Sequence, residues 1–178
     1  MKLNLGSGLT KIPGYLNVDS NPLCNPDYLV DLEKELPFED NSIDEIRAYH
    51  IFEHINNFFG FVKELYRICK PNAIIDIEVP HPRHDIFFGD VGHIRSITVE
   101  NLKQFSKKYN QFEIDQWKSN IGYGITLDVD FEILDFNYVI EDYYRKQFQN
   151  MSNDEIDRIA RSYNNVISLI KVKWIVIK

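Results

Sequence analysis

Two cysteines in 178 residues, Cys24 and Cys69, are too few for a disulfide framework or a zinc knuckle. Both read as reduced thiols of a cytoplasmic protein, with packing as their role. Cations are scarce as well: 20 Lys and Arg stand against 27 Asp and Glu, for a net charge of −7. That balance argues against a nucleic-acid partner, whose affinity rests on many Lys and Arg contacts to phosphate. No apolar run approaches the ~18 residues of a membrane span. Met1-Lys2 leads straight into a short apolar strand, without the long apolar stretch of a secretion signal. Repeats, low-complexity tracts and flexible linkers are missing too. What remains is 44% hydrophobic and 26% charged, which is globular composition and excludes disorder.

Short apolar runs punctuated by turn residues open the chain. Lys2-Leu3-Asn4-Leu5, Leu16-Asn17-Val18-Asp19 and Tyr28-Leu29-Val30 read as three strands, Ile43 to Ile51 as a fourth, and Ala73 to Val79 as a fifth stopped by Pro80. Asn57, followed by Phe58, Phe61, Val62, Leu65 and Cys69 at helical spacing, predicts a capped helix that Pro71 halts. A second helix is expected from Thr98. A third follows the capping box Ser152-Asn153-Asp154-Glu155, with Ile156, Ile159, Ala160 and Tyr163 on one face. The strict alternation of Leu127 to Ile133 predicts a half-buried strand with an acidic outer face. Phe112 to Trp117 is expected as its weaker partner and Ile121-Gly122-Tyr123-Gly124 as the turn between them. Ile170 to Val176 is the last strand. The sum is an α/β class: a Rossmann-like open mixed sheet with flanking helices and antiparallel strands toward the C-terminus. Sheets of this kind bind ligands beyond the carboxyl ends of their strands.

Two of those ends carry the residues for it. Gly6-Ser7-Gly8 follows the first strand, where the lack of Cβ lets a ligand approach the backbone. Asp19 ends the second, where a carboxylate can accept both hydroxyl protons of a ribose. A dinucleotide site asks for a third glycine, a helix N-terminus under the pyrophosphate and an acid ~20 residues on. Here no third glycine continues the motif, and Asp19 comes thirteen residues after Gly6. Leu9 to Tyr15 is also too short for an ordinary crossover helix. The loop therefore suits a nucleoside without phosphate, of which S-adenosylmethionine is one.

Leu3-Asn4-Leu5-Gly6-Ser7-Gly8, Gly14-Tyr15-Leu16-Asn17-Val18-Asp19, Asp31-Leu32 and Leu36-Pro37-Phe38-Glu39-Asp40-Asn41-Ser42 occur in the order of a known family. His50-Ile51-Phe52-Glu53-His54 and Lys63-Glu64-Leu65-Tyr66-Arg67 continue it. The pattern resembles the class I S-adenosylmethionine-dependent methyltransferases, over residues 2 to about 106. Gly92-His93-Ile94-Arg95 and Thr98-Val99-Glu100 are its last pieces. Ser7 stands where a cysteine is common, and Asn72-Ala73 replaces the usual glycine pair.

The resemblance implies one domain, 1–178, with the cofactor part in 1–106 and the acceptor side in 107–178. It implies S-adenosylmethionine as cofactor, with Asn4, Gly6, Ser7 and Gly8 around the methionine part. Asp19 and Ser20 would take the ribose and Asp31 and Leu32 the adenine, with His50, Ile51 and His54 on the sulfonium side. The acceptor implied is a small molecule, a sugar or a polysaccharide. The alternatives are an inactive cofactor-binding module and, less favoured for want of a third glycine, a nucleotide-sugar or nicotinamide enzyme.

A general base is needed only where the acceptor must lose a proton. His81-Pro82-Arg83-His84-Asp85 and His93 offer three histidines in one loop region. One reading makes His84 or His93 a catalytic base oriented by Asp85. Another is a metal held by His81, His84 and Asp85, although that spacing matches no known signature and no metal ligand is assigned. A third is a polar loop whose histidines cap backbone. Glu53 and His54 are expected chiefly to start the following helix.

Overall fold

The computed structural model describes residues 1–117 and 121–178. Its strands are β1 (Lys2–Leu5), β2 (Leu16–Asp19), β3 (Tyr28–Leu29), β4 (Ile43–Tyr49), β5 (Cys69–Pro80), β6 (Phe131–Ile140) and β7 (Ile167–Val176). They form one sheet in the order β3-β2-β1-β4-β5-β7-β6. The first five run parallel, and β7 lies antiparallel between β5 and β6. The mixed sheet with an antiparallel C-terminal edge is the predicted architecture. Among the described residues no helix is long and apolar enough to cross a membrane.

Parallel strands covered on both faces read as continuous apolar runs. Here β4 and β5 alternate instead. Ile46, Ile75 and Trp174 are register partners, as are Ala48, Ile77 and Val172, and all six are buried. They join the core under α1 (Phe58–Ile68), which Asn57 caps by accepting the Gly60 N–H. The opposite face is a half-exposed polar network. Tyr49 donates to Asp76 (2.8 Å), Arg47 lies over the Tyr49 ring, Lys171 pairs with Glu78 (2.8 Å) and Tyr15 donates to Glu45. Desolvation and then the Glu45 bond push the Tyr15 hydroxyl up to about 12. One apolar face and one charged face make this a two-layer sheet over these strands.

Ten residues, 6–15, join β1 to β2 without a helix, fewer than a parallel connection usually needs. A buried asparagine pair holds the link. Asn4 donates to Asn17 Oδ1 (3.0 Å) and to the Thr10 carbonyl (3.0 Å), while Asn17 Oδ1 also accepts the Ile12 N–H.

Three expectations for the second half are corrected. Phe112 to Trp117 belongs to helix α4 (Lys107–Trp117), whose buried contact is the polar Asn110 rather than an apolar stripe. Asn110 donates to the Gln104 carbonyl and accepts the Ile125 N–H, so no hydrophobic period announces the helix. The predicted turn at 121–124 instead leads into a short helix, Tyr123–Thr126. The strand predicted from Leu127 begins only at Phe131, since the two aspartates that made the pattern alternate lie before the strand and serve the start of α4. Asp128 has φ 55 and pairs with Lys107, and Asp130 accepts the Lys107 N–H. The last helix, Asn153–Ser162, carries the predicted capping box.

Glu64 of α1 ties its helix to the loop before β4. It accepts from Arg67 and from the Leu36 N–H (2.9 Å), while Arg67 donates to the Leu36 and Phe38 carbonyls. Arg67 holds the Glu64 carboxyl below its ordinary value of 4.5. A depressed carboxylate adds stability that is present above the ordinary value and lost as pH falls through the folded one. Glu64→Gln is therefore expected to cost about 1–2 kcal/mol at pH 7. Denaturation at a series of pH values should show that gap closing below pH 4.5.

Candidate functional site

The carboxyl ends of β1, β2 and β4 open on a pocket of about 300 Å3. Gly6, Asp19, Ser20, Asp31, Leu32, Ile51 and His54 line it, all of them predicted cofactor residues, and Glu33 and Ile55 complete it. Gly6 (φ 60) and Gly8 (φ 51) take the left-handed turn that brings backbone to the rim. Asp19 is preset by its neighbours: Oδ2 accepts the Gly8 N–H and Oδ1 the Asn21 N–H, both at 2.8 Å. Each oxygen keeps a lone pair for a further donor. Asp31 accepts the Glu33 N–H, which holds its carboxyl below the ordinary value.

Glu33 was not predicted. Its carboxylate receives the Asn56 N–H and side chain and the Asn57 N–H, so it pins the Asp31-Leu32 side of the pocket to the start of α1. The available signal was its place directly after Asp31-Leu32. Asn4 supports the loop from beneath, through the bonds described above. Ser7 Oγ is buried, with no hydrogen-bond partner among the described residues.

A second group stands behind His54. Glu53 is 1% exposed and neither carboxylate oxygen receives a hydrogen bond among the described residues. His50 Nδ1 lies 3.4 Å from Glu53 Oε1 and His93 Nε2 lies 3.9 Å from it. His54 and His93 rings meet at 4.7 Å, and Phe87 stacks on His93. His54 Nδ1 donates to the Gly92 carbonyl (3.0 Å) and His93 Nδ1 to the Phe87 carbonyl (2.7 Å). His50 itself has φ 56, a strained value for a non-glycine residue. Glu53, then Glu78, raise its pKa above the ordinary imidazole value against the pull of desolvation. The expectation that Glu53 and His54 begin the helix is corrected: α1 starts at Phe58, and both residues belong to the loop after β4.

Residues 16–77 match the family model described as a methyltransferase domain. Over that third of the chain the sequence is similar to a methyltransferase domain. Solved structures share its fold at low identity. An S-adenosylmethionine-dependent methyltransferase from Archaeoglobus fulgidus is 16% identical over 98% of this chain and 85% of its own, with TM-score 0.64. A phosphoethanolamine N-methyltransferase from Haemonchus contortus, solved with S-adenosylhomocysteine, is 12% identical over 99% of this chain and 48% of its own, at 0.58. The [4+2]-cyclase SpnF reaches 0.60 at 14% identity, over 99% and 75%. No curated protein matches the chain in sequence.

The three predicted catalytic residues part company. His93 stands beside pocket-lining His54. His84 lies elsewhere: its Nδ1 accepts the Ile86 N–H as the cap of α2 (Asp85–Gly89), and its Nε2 is 3.4 Å from Glu141. Asp85 holds Asn165 through two bonds of 2.8 Å and orients neither histidine. Capping, the third reading of that loop, describes what His84 does in this geometry.

The pocket floor is tight. A Cβ on Gly6 would fall 1.8 Å from Ile51 Cδ1, at a φ that side chains rarely adopt. Gly6→Ala is expected to cost about 1–2 kcal/mol of stability. Adding Ile51→Ala should recover the clash but not the backbone strain, which urea denaturation of the two variants would resolve.

Proposed function

We propose that this chain is a methyltransferase that binds S-adenosylmethionine in the strand-end pocket and passes its methyl group to a small-molecule or carbohydrate acceptor. The observation that carries the reading is the charge of the lining. Asp19, Asp31 and Glu33 line the pocket, and among the described residues no Lys or Arg does. The pyrophosphate of a nicotinamide dinucleotide or a nucleotide sugar would find no cationic side chain in this lining to balance its charge. A nucleoside with a sulfonium and an ammonium group meets carboxylates, and Asp19 is preset to accept its ribose hydroxyls.

Methyl transfer is an in-line displacement: the acceptor lone pair forms the new bond to carbon as the carbon–sulfur bond breaks and its electrons return to sulfur. The protein supplies alignment and a site that excludes water. Proximity alone is worth on the order of 7–11 kcal/mol. The acceptor side falls to the C-terminal part, residues 107–178. His93 is the predicted base nearest the pocket, needed only for a hydroxyl-type acceptor. With a net charge of −7, the reading keeps the protein cytoplasmic, with neither nucleic acid nor membrane as partner.

Calorimetric titration tests the pocket: S-adenosylhomocysteine should bind one to one, and NAD and UDP-glucose should not. Transfer of labelled methyl from S-adenosylmethionine to a panel of small molecules and oligosaccharides then separates an enzyme from an inactive cofactor binder. Tight NAD binding without S-adenosylhomocysteine binding would overturn the assignment. The SpnF likeness shows why turnover must be measured, since a fold alone does not name a reaction.

A further inference from the structure

We propose that Glu53, His54 and His93 bind one divalent transition-metal ion, with zinc the best chemical match. The three side chains each offer a ligand atom, and these atoms lie within 4.8 Å of one another. Zinc bound at about 2.0–2.2 Å from each donor needs donors about 3.4 Å apart. The 3.9 Å between His93 Nε2 and Glu53 Oε1 is already near that spacing, and the remaining separations, none above 4.8 Å, would have to close on binding.

Two independent observations point to a cation rather than to ordinary packing. The first is Glu53: its two oxygens are buried and accept no hydrogen bond among the described residues. The part-exposed His50 ring, 3.4 Å from Oε1, leaves the rest of this carboxylate's charge uncompensated, a costly arrangement that a second cation would relieve. The second is the histidine tautomers. A backbone carbonyl can only accept, so the bonds from His54 Nδ1 to Gly92 and from His93 Nδ1 to Phe87 place both protons on Nδ1. In the neutral ring each Nε2 then carries the lone pair a metal would take. Orienting metal-bound imidazoles through their other nitrogen is how protein metal sites fix their ligands.

The backbone also locks the two ligand-bearing segments together. The Glu53 carbonyl accepts the Ile94 N–H (3.0 Å) and the Arg95 N–H (3.3 Å), so the loop after β4 and the segment after α2 meet beside the three side chains. Two imidazoles and one carboxylate select zinc or ferrous iron over magnesium or calcium, which prefer all-oxygen sites. Three protein ligands leave a position open for a water or an acceptor oxygen. The site rests on these side chains alone and stands whether or not the cofactor reading holds, although His54 also lines that pocket.

The test uses the full chain stripped with a chelator and titrated with Zn2+ in a calorimeter, and with Co2+ by visible absorption. One ion per chain is expected, with the absorption bands of a low-coordinate cobalt site. Glu53→Gln and His93→Asn should each weaken binding tenfold or more. His81→Asn, outside the cluster, should leave it unchanged. Circular dichroism checks that the variants fold, and His93→Asn serves if Glu53→Gln does not. Failure of Zn2+ to bind, or equal affinity in wild type and folded His93→Asn, would overturn the proposal. So would a Glu53→Gln chain that is stabilised while the wild type shows no thermal response to Zn2+, since Glu53 would then be sharing a proton with a histidine.

Discussion

Asp19→Ala is expected to weaken S-adenosylhomocysteine binding ten- to a hundredfold. Hydrogen bonds to a charged acceptor are worth about 1.5–3 kcal/mol, and the ribose hydroxyls would lose theirs. A second loss adds to the first. The same carboxylate receives the Gly8 and Asn21 N–H groups, so its removal also frees both loops of the rim. Asp19→Asn separates the two effects. Its single carbonyl oxygen can keep one loop bond while the amide nitrogen, a donor, faces the other N–H. Asn should therefore fall between wild type and Ala in affinity. Calorimetry of the three proteins, with thermal melts to confirm folding, is the measurement. Unchanged affinity in a folded Ala variant would remove Asp19 from the ribose site and with it the main support for the pocket assignment.

The parts of this pocket that were legible in the sequence are those tied to strand ends. Gly6, Asp19 and the Asp31-Leu32 pair each close a short apolar run, and a parallel sheet brings such ends to one edge whatever joins the strands. The crossover was legible only as an absence, since nothing in Leu9 to Tyr15 announces that Asn4 and Asn17 will replace a helix by pairing beneath the loop. The bare sheet face had a signal too. Glu45, Arg47, Asp76 and Glu78 interrupt β4 and β5 at every second position, which parallel strands with two covered faces do not tolerate. The histidines were harder. His84 and Asp85 adjoin in sequence, yet one caps a helix and the other meets Asn165, eighty residues away. His93 reaches Glu53 and His54 across forty residues, through packing that no local spacing encodes. Helix α4 escaped for the opposite reason, because its one buried residue is polar.

Trp174→Ala is expected to be the most damaging single substitution for stability, at about 3–5 kcal/mol. The indole is fully buried, stacked on Phe131 at 4.6 Å and in edge contact with Phe52 and Phe105. It therefore joins β7 to β6, to the segment after α3 (Val99–Lys103), and to the loop that carries His50, Glu53 and His54. Phe52 lies between those residues in sequence, so a cavity at Trp174 would loosen the site as well as the core. Trp174→Phe should behave differently. The indole Nε1 is buried without a hydrogen-bond partner among the described residues, a state that costs about 1–3 kcal/mol. Phenylalanine loses contact area but removes that cost, so its net effect should be under about 1.5 kcal/mol. Urea denaturation of both variants measures the difference. Should Phe prove as harmful as Ala, the fit of the larger ring between Phe52 and Phe131 outweighs the buried N–H, and the loop bearing Glu53 depends on that fit directly.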